Sequence, residues 1–151
     1  MRDGLDALTV ALAEPTRRCW TLAGPATAAW WRRRQALETA IHRVDAERAL
    51  GPASPIDPAL AADGVGEVVD VLHPRQVRLG RATEPAVALR LTTDDGSGTW
   101  LIAGPSPPTD ISGPAERLLL LLWGRTNLDD PHLRVQDRLR AQTVFSHPLT
   151  P

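Results

Sequence analysis

Glu38, His42 and Asp45 are the residues whose types and spacing first suggest chemistry. On a helix that turns about 100° per residue, His42 and Asp45 lie within about 40° of Glu38, with Trp31 and Gln35 close by. A carboxylate and a neutral imidazole one helical turn apart can both bind one divalent ion, and a neighbouring carboxylate such as Asp45 can orient the imidazole. The same spacing also describes a plain ion pair along a helix flank, so two donors by themselves do not define a site. A catalytic zinc site normally takes three protein ligands and keeps one position open. The other imidazoles, His73, His132 and His147, each adjoin a proline in an expected loop or tail, and none is an obvious third ligand. Cys19, flanked by Arg18 and Trp20, reads as a half-buried structural cysteine. Arg125, just after Gly124, is placed either to bind a carboxylate through its planar fork or to sit as a cation at a helix C-terminus. Arg34 is a further candidate, although the run Arg32-Arg33-Arg34 reads as a solvated face. The chain carries no Gly-rich phosphate loop, no Gly-x-Ser-x-Gly elbow and no interleaving of aromatic and basic residues of the RNA-binding kind.

The element that must position Glu38 and His42 is a long helix expected from about Thr27 to Ala49, stopped by Gly51-Pro52. Trp30, Leu37, Ile41 and Val44 form its apolar stripe, opposite Arg32, Arg33, Arg43 and Glu47. A shorter helix from Asp3 to Ala13 precedes it, with a loop around Thr21 to Pro25 between them. Asp57 followed by Pro58 is an N-cap and first-turn pair, opening a third helix through Ala61, Val65, Val68 and Leu72 that His73-Pro74 is expected to break. The period then changes to two. Val87, Leu89 and Leu91 alternate, Asp94-Asp95-Gly96-Ser97 supplies turn chemistry, and Thr99 to Ile102 returns as the hairpin partner. Ser112 reads as the N-cap of a Leu-rich helix ending near Gly124, followed by a strand at Leu133 to Gln136, an amphipathic stretch from Leu139 to Val144 and a loose tail from Ser146. The fold class is α+β, with two N-terminal helices and a small α+β unit after them.

Composition narrows the function classes. A chain of 151 residues with 42% hydrophobic and 23% charged residues can bury a core, and its net charge of -1 excludes a broadly basic nucleic-acid binder. One cysteine excludes an intramolecular disulfide and a four-cysteine zinc site. The run Leu118 to Trp123 falls far short of the roughly 20 apolar residues of a membrane span, and Met1-Arg2-Asp3-Gly4 begins no signal peptide. The expectation is a cytoplasmic protein with neither a nucleic acid nor a membrane as partner.

The run from Trp30-Trp31-Arg32-Arg33-Arg34-Gln35 through Glu38-Thr39-Ala40-Ile41-His42-Arg43-Val44-Asp45 resembles the hallmark helix of the mycothiol-dependent maleylpyruvate isomerase family. Asp57-Pro58-Ala59-Leu60, Gly98-Thr99-Trp100-Leu101-Ile102 and Gly113-Pro114-Ala115-Glu116, continuing to Trp123-Gly124-Arg125, resemble the same family in the same order. The resemblance implies a DinB-like helical bundle holding a divalent metal, followed by an α+β domain similar to sterol-carrier proteins. It makes Glu38 and His42 metal ligands, with zinc the expected ion, Asp45 their support and Arg125 the holder of a substrate carboxylate. It further implies that mycothiol adds as thiolate to an unsaturated carboxylic acid, permits rotation about the former double bond and is expelled, which is isomerase or S-transferase chemistry.

Relatives take their third metal ligand from a His on an early bundle helix, which has no counterpart here, and the position before Glu38, often His in relatives, is Leu37. The expectation is therefore an N-terminally truncated member. Residues 1–50 are a bundle remnant, 51–58 a linker and 59–151 the α+β domain. The alternative is a non-catalytic relative or binding module that has lost the complete metal site. Self-association or a partner chain would complete the bundle.

Overall fold

Short local signals build the first part of the chain in the computed structural model, which describes residues 2–151. The chain divides into two units, one ending at Ser54 and one running from Pro55 to Pro151. In the first, helix α1 (Arg2–Ala11) exposes Leu5, Leu8 and Val10. Arg32 donates from Nε to the Leu12 carbonyl at 2.6 Å and from Nη2 to the Ala13 carbonyl at 2.5 Å, satisfying carbonyls just past the end of α1.

Strands β1 (Arg18–Thr21) and β2 (Gly24–Thr27) pair antiparallel, with Cys19 opposite Ala26 and Trp20 opposite Pro25. A loop was expected here. Four-residue strands rich in small residues show no period of two, and Pro25 needs no ladder donor at a sheet edge. Helix α2 (Ala28–Arg48) follows at once and buries Leu37, Ala40, Ile41 and Val44, whereas Trp30 at its start is only half-buried and meets Trp31 edge to face.

In the second unit, Asp57 caps helix α3 (Pro58–Glu67) by accepting from the Ala59 and Leu60 N–H groups, both at 3.0 Å. His73-Pro74 does not end the helical path. A π turn over Val68–Leu72 inserts one residue, the His73 N–H reaches back to the Val68 carbonyl, and helix α4 (His73–Arg78) continues. Pro74 falls in the first turn of α4, where its missing N–H costs little. Ala61, Val65, Val68 and Leu72 are all buried, as their spacing requires.

The sheet order among the described residues is β4-β3-β5-β6. Strand β3 (Leu89–Thr93) pairs antiparallel with β4 (Thr99–Ile102), as the hairpin signal requires, and parallel with β5 (Thr109–Gly113), which pairs antiparallel with β6 (Arg134–Val135). Ser112 lies in β5, between Thr92 and Arg134, and so is not the cap of the next helix. Pro114 takes that position with extended backbone. Helix α5 (Ala115–Leu122) buries Leu118 to Leu122 against α3, β3 and β5.

Helix α6 (Arg138–Val144) is capped by Asp137, which accepts from the Arg140 N–H at 3.0 Å. The tail beyond Ser146 is not loose, since Leu149 and Thr150 are buried. One apolar residue is enough to anchor it, a signal too short to show as periodicity. The fold is α+β. No helix among the described residues is long and apolar enough to cross a membrane.

Candidate functional site on helix α2

Helix α2 carries a line of four interacting side chains. Arg34, Glu38, His42 and Asp45 recur at +4, +4 and +3, so each meets the next across one turn. Arg34 Nη2 lies 3.1 Å from Glu38 Oε2, Glu38 Oε1 lies 3.8 Å from His42 Nε2, and His42 Nδ1 lies 3.3 Å from Asp45 Oδ2. The line climbs out of the protein: the side chain of Arg34 is 4% exposed and that of His42 57% exposed. The reading of Arg34 as part of a solvated face is therefore corrected. Its place beside Leu37 and Ile41 on the buried side, and Glu38 four residues on, are the signals that could have shown this.

The imidazole of His42 thus has a carboxylate toward each ring nitrogen. The shorter contact is to Asp45, and in the tautomer with its proton on Nδ1 the ring donates to that carboxylate and turns Nε2 toward Glu38. Glu47, further along α2, fastens the chain that follows the helix. It accepts from the Ser54 N–H at 2.7 Å and from Arg43 Nη1 at 2.8 Å, and these two interactions hold its carboxyl below the usual range.

Glu38 and His42 are chemically suited to a divalent ion, but a three-ligand centre needs more. Among the described residues no group of three or more His, Cys, Asp or Glu side chains converges to hold a metal ion. The donor set does not fit a complete centre.

Arg125, in the second unit, donates from Nη1 to the Trp123 carbonyl at 2.6 Å and places its guanidinium 5.7 Å from the Trp123 ring centre. The α5 terminus explains why. Gly124 takes φ +67°, its N–H donates to the Leu121 carbonyl, and the Arg125 N–H donates to the Leu120 carbonyl at 2.7 Å. This paired closure curls the chain back over the helix end.

The remaining candidates are dispersed. Cys19 is half-buried in β1. His132 is exposed, its N–H donating to Asp130 Oδ1 at 2.9 Å, and exposed His147 has Nδ1 3.1 Å from Ser146 Oγ. His73 departs from its expected loop position. It is 6% exposed at the head of α4, and burial pushes its imidazole below the ordinary value. The π turn that carries it inward has no signature in the residue types.

Residues 59–142 match the family model for the MDMPI C-terminal domain, and residues 1–47 match that for the mycothiol maleylpyruvate isomerase N-terminal domain. A search of curated proteins found no match.

Proposed function

Because the chain belongs to the mycothiol maleylpyruvate isomerase family, we propose that it takes part in mycothiol-dependent isomerase or S-transferase chemistry on an unsaturated carboxylic acid. The observation that carries this reading is the His42–Asp45 pair, 3.3 Å apart and backed by Glu38 and Arg34, on a helix inside the matched N-terminal domain. Asp45 orients the ring and His42 Nε2 takes the thiol proton, leaving the thiolate that is the competent nucleophile. The thiolate forms a C–S bond at one carbon of the conjugated double bond, whose π electrons move onto the adjoining carbonyl oxygen. Rotation about the resulting single bond follows. The electrons then return, the C–S bond breaks, and the thiolate regains the proton from His42. Arg125 is assigned, as a separate proposal, to receive a carboxylate through its guanidinium fork.

As an alternative role, which replaces that of His42 Nε2 as base, Glu38 and His42 are proposed as two donors toward a divalent ion such as zinc, with the remaining donors supplied from outside the described residues, by a second copy or a partner chain. The steps above use no metal. The specific observation that favours the second reading, a binding module without its own metal centre, is the lack of a converging third donor among the described residues.

The test follows loss of the cis unsaturated acid by absorbance, with maleylpyruvate and mycothiol as probes and with zinc titrated separately into wild type and a Glu38→Ala/His42→Ala double variant. A mycothiol-dependent rate that falls at least about 100-fold in the double variant supports the catalytic reading. A folded wild type with no mycothiol-dependent turnover, with or without zinc, leaves the binding-module reading.

A further inference from the structure

Two side chains on α2 stand as half of a tetrahedral centre. Arg34 holds Glu38 through Oε2 at 3.1 Å, and the other oxygen, Oε1, lies 3.8 Å from His42 Nε2. Two ligands of one zinc ion, each about 2.0–2.1 Å from it, stand about 3.4 Å apart at the tetrahedral angle, so this pair has only a few tenths of an ångström to close. Asp45 Oδ2, 3.3 Å from Nδ1, has the place of the carboxylate that orients a metal-bound imidazole. With the ring proton on Nδ1, Nε2 and Oε1 present two acceptors to each other, and a cation between them satisfies both. The His42 side chain is 57% exposed and that of Glu38 37%, so a second molecule can reach them.

One copy of the chain thus offers two donors where zinc takes four, and among the described residues no third converges. The α2 face itself is suited to supply the rest. Trp31, Gln35, Glu38, His42 and Asp45 lie on one side of the helix. A second α2 laid antiparallel on that side, about a two-fold axis level with Ala40, sets Glu38 against His42 of the second copy and Gln35 against its Asp45. Carboxylate then meets imidazole, and amide meets carboxylate. A parallel pairing sets Glu38 on Glu38 and Asp45 on Asp45, which like charge opposes. We propose that two copies of this chain share one zinc ion through Glu38 and His42 of each, across an antiparallel pairing of their α2 helices. The two Glu38 carboxylates balance the charge of the ion. This rests on the donor role of Glu38 and His42 given above and names the partner that completes their set. The face of a 21-residue helix, about 30 Å long and no wider than about 10 Å, falls well short of the roughly 800 Å² per partner of a stable interface, so the ion decides association.

The test is sedimentation velocity of the full chain, stripped of metal by a chelator and then titrated with zinc, with bound zinc counted by elemental analysis. The expected result is a monomer without zinc and a dimer holding one zinc per two chains. With free zinc at about 100 times its dissociation constant, an ion bound only by the dimer strengthens association about 100-fold. His42→Ala is expected to stay monomeric under the same conditions. Should that variant not fold, Glu38→Gln, which keeps an oxygen for Arg34, is expected to do the same. One zinc per monomer overturns the sharing and leaves the donor role of the pair standing, whereas no bound zinc in wild type overturns both. A dimer that forms without zinc, or a zinc-linked dimer that persists in a folded variant, also overturns the proposal. The thiol chemistry is read separately, by the mycothiol-dependent turnover.

Discussion

Arg34, with its side chain 4% exposed, holds Glu38 from beneath at 3.1 Å. A buried guanidinium without its carboxylate is expensive, and here the carboxylate is also the neighbour of His42. Arg34→Met is therefore expected to do two things. It relieves the desolvated charge but frees Glu38 to move, with a net stability change of about 1–3 kcal/mol in the destabilising direction. Urea unfolding measures the first effect, and the Glu38-dependent part of zinc affinity measures the second. A variant as stable as wild type with unchanged zinc affinity would remove the positioning role.

Asp45→Asn tests the orientation of His42. The amide loses the carboxylate's charge while keeping its size, so the expected outcome is roughly a tenfold fall in mycothiol-dependent kcat with KM nearly unchanged. A KM effect alone would show that Asp45 binds substrate instead.

His73 gives a pH dependence with a definite sign. Its folded-state value is lowered by burial, so at pH below the ordinary histidine value of about 6.5 the unfolded chain binds the proton more readily. Stability is then full above that pH and falls as the pH drops through it, by at most about 1.4 kcal/mol per pH unit. The fall levels off once the folded ring also protonates. Urea midpoints between pH 7.5 and 5 should decline less steeply in His73→Gln than in wild type, and parallel curves would contradict the assignment.

Gly124→Ala addresses the closure of α5. A Cβ there meets nothing within 4 Å, so the whole penalty comes from the backbone at φ +67°. The expected loss is about 1 kcal/mol, seen as a Tm lowered by a few degrees. Gly124→Asn should cost less, because Asn tolerates this conformation better. Equal penalties for Ala and Asn would point to a packing cause.

Much of this arrangement was legible in residue spacing. The Glu38, His42 and Asp45 periodicity, the Asp57-Pro58 cap and the β3–β4 hairpin are local signals that tertiary packing reinforces. The misses divide by physical origin. The parallel β3–β5 pairing, the strand identity of Ser112, and the burial of Leu149 depend on partners distant in sequence. The π turn before His73 is a register change that leaves no compositional trace. Arg34 was obscured by its neighbours, since three consecutive arginines look alike until the helix assigns one of them to the buried side.

The four-stranded sheet ends on one side in β6, two residues long, and on the other in β4, four residues long. An edge strand is the place where a foreign chain can dock by continuing the backbone ladder, and its hold grows with each added pair of bonds. The β6 edge gives such an intruder only a two-residue foothold, and Arg134 places a guanidinium on it. Gly98 before β4 packs so closely on Trp100 that a Cβ there would lie 2.2 Å from the ring, so the approach to that edge is held to glycine. On its β6 side the sheet thereby limits its own propagation into cross-strand aggregates, a protection written first into strand length and then into the charge of Arg134.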